Sequence, residues 1–194
     1  MSVQLLISTV SFMSLAPAKE YNGAIKSAIA GFDPAALEGL VAAIAVEGKV
    51  EIVKQEEFES SHRSVYERHY PKFPNGLAWG GKYIWAKERV RTRNKSLVHE
   101  YAHILFDHRQ LKAPTPLAET QAEGTAWLVC KRLGVDMTPQ SAAMLLHHSG
   151  GDVEKATGLV ETLWPSIEAM ADRVLSLPIP RSKPKLIGPP IRRG

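Results

Sequence analysis

A single cysteine in 194 residues rules out an internal disulfide and favours a reducing, cytoplasmic setting. No stretch reaches the ~18–20 uninterrupted apolar residues of a membrane helix, so no membrane span is expected. No internal repeat is visible. Lysine and arginine are missing before Lys19. Residues 3–17 are mostly apolar and end in Ala16-Pro17-Ala18, yet they lack the charged start of a secretory leader and read as an internal strand. Acidic residues are missing from Pro178 to Gly194, a stretch with five prolines and five basic residues. That composition predicts an extended tail, either a tether to DNA or an acidic partner or a solubilising end. The tail's five positive charges exceed the net +4 of the whole chain, leaving the remaining body close to neutral. The overall basic character therefore does not argue that the body binds nucleic acid.

What is present suits one small domain. With 44% apolar residues the chain can bury a proper core, and residues 1–177 read as a single unit with an α/β part to about residue 90 and a helical part beyond it. Asp33-Pro34 opens a helix whose apolar face is Leu37, Leu40, Val41 and Ile44 and which stops at Gly48. Val50 to Val53 reads as a short strand. A loop from Tyr70 to Gly76 leads to Leu77–Trp79 and Tyr83–Ala86, with Gly80-Gly81 as a hairpin turn between them. Thr138-Pro139 starts a helix ending near Ser149. Asp152 caps a last one, where Val153, Val160, Ile167 and Val174 keep a seven-residue spacing in phase through Pro165, so one kinked helix is the simpler reading. Trp79, Trp85, Trp127 and Trp164 fit a core or an interface equally.

The most informative stretch is His99-Glu100-Tyr101-Ala102-His103. Apolar positions at 97, 98, 101, 102, 104, 105 and 106 place it on a largely buried helix. There His99 and His103 return to one face about a turn apart, within reach of one metal ion. Glu100 beside them can take a proton from a metal-bound water, the arrangement of HExxH metallohydrolases. The plain alternative is a structural helix with two hydrogen-bonded histidines.

A catalytic zinc usually takes a third protein ligand and keeps its fourth position open. Thr115-Pro116 opens a second helix on which Glu119 and Glu123 share a face. If Glu119 binds the metal, Glu123, a turn further on, can accept the free N–H of a ligating histidine. Otherwise both are solvated surface acids.

The pair HEYAHILFDH and LAETQAEGTAWLVCKRLGV resembles the small gluzincin-type metallopeptidases, which include the ImmA/IrrE group and the zincin domain of ArdC-like antirestriction proteins. The resemblance covers about residues 77 to 135. It implies an α+β, zincin-like fold: a small mixed sheet, an HExxH helix and a mainly helical C-terminal part. It implies a zinc metallopeptidase with Glu119 as third ligand, Ala122 as the small residue of an E-x-x-A-[D/N/E] pattern, and Glu123 as the acid supporting a histidine. Glutamate in place of a supporting aspartate has a longer reach, so Glu119 and Glu123 remain interchangeable at this stage. The strand before the HExxH helix, Tyr83 to Lys87, is expected to border the cleft and pair with a peptide substrate. ArdC-like relatives also imply a competing function, a non-proteolytic antirestriction or regulatory module that binds DNA or a protein.

Other residues carry weaker signals. Lys87, Arg89, Arg91, Arg93 and Lys95 alternate; if extended, they line one face as a track for DNA or an acidic peptide, or as a solvated edge that deters aggregation. His147 and His148 are candidates for stabilising an oxyanion, or simply surface histidines near a helix end. His108 follows His103 by five residues and is expected off the metal face, capping carbonyls. Cys130 reads as a packed thiol.

Overall fold

Apolar residues three and four positions apart set most of this chain into helices, and three short extended segments make its only sheet among the described residues. The structure, a computed structural model, describes residues 3–15, 18–61, 75–88, 90–108 and 115–179. In chain order the elements are α1 (Val3–Leu15), α2 (Ala18–Gly31), a 3-10 turn (Pro34–Leu37) leading into α3 (Glu38–Val46), β1 (Glu51–Ile52), α4 (Gln55–Ser61), β2 (Gly76–Trp79), β3 (Tyr83–Ala86), α5 (Arg93–Leu105), α6 (Thr115–Arg132), α7 (Thr138–His148) and α8 (Val153–Leu175). The architecture is α+β and mostly helical, with a small mixed sheet.

Local chemistry accounts for several boundaries. The Asp33 carboxylate accepts from the Ala35 N–H at 3.0 Å, with Pro34 next to it, and so starts the 3-10 turn. Asp152 does the same for α8 through the Lys155 N–H at 2.9 Å. Helix α8 runs unbroken past Pro165. Gly80 and Gly81, at φ 61° and 70°, turn the β2–β3 hairpin in the left-handed region that glycine enters without strain.

Strand order is β1-β3-β2, with β1 parallel and β2 antiparallel to β3. This corrects the expectation that Tyr83 to Lys87 is free to pair with a peptide substrate. The Glu51 N–H donates to the Lys82 carbonyl at 2.7 Å and the Val53 N–H to the Ile84 carbonyl at 2.9 Å, so β3 is occupied on both sides. The sheet's edges are β1 and β2, and β2 is the edge strand that lies against α5.

Two further expectations fail. Residues 3–15 form a helix, not a strand: Val3, Leu6, Ile7 and Val10 follow helical spacing, and α1 lays that face on α7 and α8 with Leu6 and Val10 fully buried. Packing outweighs the local strand preference of its β-branched residues. Nor do the described basic residues Lys87, Arg91, Arg93 and Lys95 share one extended face. Lys87 is exposed just past β3, and Arg91 sits in a turn with its Nε–H donating to the Phe32 carbonyl at 2.8 Å. Arg93 and Lys95 belong to the first turns of α5, and Lys95 is buried. Arg89 lies outside the described residues, as do residues 70–74 of the expected loop and the tail from residue 180.

The core is built around α6, which packs against α5, α7 and α8 and is buried continuously from Ala122 to Cys130. Trp127 is fully enclosed there and donates its Nε1–H to Thr138 Oγ1 at 3.0 Å. Gly124 allows α8 to approach: a Cβ at that position would lie 2.7 Å from Ile167 Cδ1. A helix surrounded on this scale carries its polar residues into the interior, and that brings its glutamates to the site. Among the described residues no helix is long and apolar enough to cross a membrane.

Candidate metal centre

Helix α5 presents His99 and His103 a turn apart, and α6 packs beside it with Glu119 facing both rings. The two imidazole Nε2 atoms are 3.1 Å apart. Glu119 Oε2 lies 3.3 Å from His99 Nε2, and its Oε1 lies 3.7 Å from His103 Nε2. Together they form a group able to hold a metal ion. Four ligands at ~2.0–2.1 Å around a tetrahedral zinc ion sit about 3.3 Å from one another, close to the 3.1 Å between the two imidazole nitrogens and the 3.3 Å and 3.7 Å from them to the two oxygens of Glu119. The donor set of two imidazoles and one carboxylate suits the same ion.

Each histidine's other nitrogen is already engaged. His99 Nδ1 donates to Glu123 Oε2 at 3.1 Å, and the second oxygen of Glu123 accepts from Lys95 Nζ at 2.5 Å. His103 Nδ1 lies 2.8 Å from His108 Nδ1. With both Nδ1 atoms engaged, the Nε2 atoms are the ones left to face Glu119. The structure thus puts Glu119 beside the two Nε2 atoms and Glu123 behind His99, and neither is a solvated surface acid.

The electrostatics follow from burial of several charges together. Burial opposes a charge on His99, but hydrogen bonds to Glu119 and Glu123, reinforced by nearby carboxylates, outweigh it and push its pKa up to about 10. Burial likewise disfavours the Glu123 carboxylate, yet Lys95 and His99 hold it down at about 2. Glu119 is held far below the usual carboxylate range by His103 and His99 against the cost of burial. Burial lowers the pKa of His103, with the His99 charge adding to it. The His99 charge lowers the pKa of Glu100, but too little to offset its burial. Burial, with a push from Glu119, raises its carboxyl to about 8.

Glu100 lies against β2. A Cβ at Gly76 would be 2.6 Å from Glu100 Oε1, so only a glycine lets the edge strand come this close to the carboxylate. From α7, His148 approaches with its Nε2 3.6 Å from Glu119 Oε2, whereas His147 is exposed. Burial lowers the pKa of His148 and favours its neutral form. Cys130 is enclosed, and burial pushes its thiol up to about 12, as suits a packed residue.

Sequence reasoning missed Lys95, His108 and Gln121. Lys95 stands four residues before His99, the helical spacing that could have marked it. His108 was expected off the metal face because the helix was extended past its end. In fact α5 closes with the Asp107 N–H donating to the Ile104 carbonyl and the His108 N–H to the His103 carbonyl, with Asp107 at φ 54°. This Schellman turn throws His108 back onto His103. Comparison with family models, curated proteins and solved structures finds no match to this chain.

Proposed function

We propose that this chain is a zincin-type, zinc-dependent peptidase working in the cytoplasm. One observation carries the reading: two imidazole nitrogens and the Glu119 carboxylate converge closely enough to hold one metal ion, with both histidines oriented from behind and a buried carboxylate next to them. His99, His103 and Glu119 would hold the ion. Three protein ligands leave a fourth position open, the arrangement of catalytic rather than structural sites. Zinc there would supply Lewis acidity toward a peptide carbonyl and lower the pKa of a coordinated water to about 7.

The remaining chemistry belongs to the chain. Glu100 takes the proton of the attacking water on its carboxylate and passes it to the leaving nitrogen. Glu123, anchored by Lys95, keeps the His99 ring in place. The Nε2–H of neutral His148 is near enough to Glu119 to stabilise an oxyanion forming beside it. A peptide adding to the outer edge of β2 would run past Gly76 and Glu100. The resemblance to ImmA/IrrE-like and ArdC-like zincin domains points the same way. The DNA-binding alternative loses one of its supports, since Lys87, Arg91, Arg93 and Lys95 do not share one extended face.

The test pairs metal content by mass spectrometry with hydrolysis of an unstructured peptide pool. Native protein and Glu100→Gln should each carry one zinc, with hydrolysis only in the native protein. Native protein without zinc, or Glu100→Gln with full hydrolytic activity, overturns the reading.

A further inference from the structure

Behind His103 lies a run of hydrogen bonds that the zinc chemistry does not itself require. His103 Nδ1 is 2.8 Å from His108 Nδ1, His108 Nε2 is 2.9 Å from Gln121 Oε1, Gln121 Nε2 is 3.1 Å from Ser166 Oγ, and Ser166 Oγ is 2.7 Å from the Leu163 carbonyl. Three helices and the turn after α5 contribute to it.

The direction of every bond follows from the far end. The Leu163 carbonyl can only accept, so the Ser166 hydroxyl spends its one proton there and must accept from Gln121. The Gln121 amide nitrogen therefore faces Ser166, and its carbonyl oxygen faces His108. That oxygen also only accepts, so His108 carries its proton on Nε2 and, as a neutral ring, accepts on Nδ1. His103 must then donate from Nδ1, which leaves the Nε2 lone pair pointing toward Glu119 and His99. We propose that His108, Gln121 and Ser166 are positioning residues that transmit the polarity of a backbone carbonyl on α8 to the metal-binding nitrogen of His103. The inference rests on the zinc reading of the site.

One further feature supports it. Stacking of His108 on Phe106, with ring centroids 5.1 Å apart and planes within 6°, holds the ring in the orientation the chain of bonds needs. The two histidines are thus held differently: His99 by a buried ion pair, His103 by neutral groups in series. A ring held by neutral groups keeps its own charge low, and the site gathers one carboxylate-supported and one neutral imidazole.

The experiment has two arms. In the first, zinc affinity is measured by chelator competition for the native protein, His108→Leu and His108→Asn, with the melting temperature of each metal-free protein recorded. Removing an outer partner of a ligating histidine typically weakens metal binding about 10–100-fold. His108→Leu should lose that much. His108→Asn, whose side-chain oxygen falls where Nδ1 was, should recover most of it, with similar melting temperatures for the two variants. Equal affinity in native protein and His108→Leu, or an Asn variant as weak as the Leu variant, overturns the proposal. In the second arm, nitrogen NMR of the metal-free native protein reads the tautomers directly. His103 protonated on Nδ1 and His108 on Nε2 is the expected pattern; His108 protonated on Nδ1 overturns the proposal. This arm needs no metal, so the two failures separate. The expected tautomers in a protein that takes up no zinc refute the zinc reading alone, whereas tight zinc with the opposite tautomer refutes the hydrogen-bond chain alone.

Discussion

Lys95→Met is the most revealing single change to stability. Lys95 and Glu123 are buried, with side-chain exposures of 5% and 3%, and their contact joins α5 to α6 at the back of the site. Solvent screening is weak at such exposure, so the substitution leaves a carboxylate in the interior without its cation. Breaking a buried pair by removing one partner typically costs about 3–5 kcal/mol. Glu123 keeps its bond to His99 Nδ1 through the other oxygen, which places the expectation at the low end, about 3 kcal/mol. Urea denaturation of the metal-free native and variant proteins at neutral pH measures it. The double variant Lys95→Met, Glu123→Leu removes both charges and should recover most of the loss, because a buried pair replaced by apolar groups is often neutral in stability. The double variant should nevertheless bind zinc more weakly than native protein, since His99 has lost its anchor. A loss below about 1 kcal/mol in the single variant would refute the argument, because a surface ion pair costs that little. So would a double variant less stable than Lys95→Met.

Three other perturbations follow from the same geometry. Gly76→Ala drives a methyl group against Glu100 Oε1, so hydrolysis should fall at least about 10-fold, a change of ~1.4 kcal/mol in the barrier, with zinc content unchanged; a fully active variant would show that the strand does not constrain the carboxylate. In the metal-free protein, His99 and Glu100 both have pKa values raised on folding, to about 10 and about 8, so the folded state holds protons that the unfolded chain has released. The stability from His99 is complete below its unfolded value near 6.5 and lost as pH rises toward 10, while Glu100 acts in the same direction between about 4.5 and 8. Urea midpoints in chelator should therefore be lower at pH 9 than at pH 6.5, and a rise would contradict the assignment. Leu6→Ala removes a fully buried side chain where α1 meets α7 and α8 and should cost about 2–5 kcal/mol; a negligible loss would mean that α1 is not part of the core.

Periodicity and end signals made much of the helical framework legible in advance. The helices after Asp33, Thr115, Thr138 and Asp152 begin where a capping residue or an early proline announces them, and the Gly80-Gly81 turn joins the strands on either side of it. Those features depend on neighbours in the chain. The N-terminal segment misled because Val3, Ile7 and Val10 favour a strand locally, and only the α7–α8 surface that receives them decides for a helix. The alternating basic residues misled in the same way: whether a lysine faces water depends on what packs above it, and α6 covers Lys95.

The chain alone determined that two histidines and a glutamate lie on one helix, because a spacing of four and a buried pattern are local properties. It also put Glu119 and Glu123 on one face of a second helix. Which of the two glutamates meets the histidine Nε2 atoms depended on how α5 and α6 pack, and packing is set by side chains far apart in sequence. The return of His108 to His103 depended on a left-handed residue at the end of α5, and the bonds through Gln121 to Ser166 on the close approach of α8 that Gly124 allows. Local rules name the groups that can bind a metal. Tertiary contacts decide which nitrogen carries the proton and which lone pair is left free.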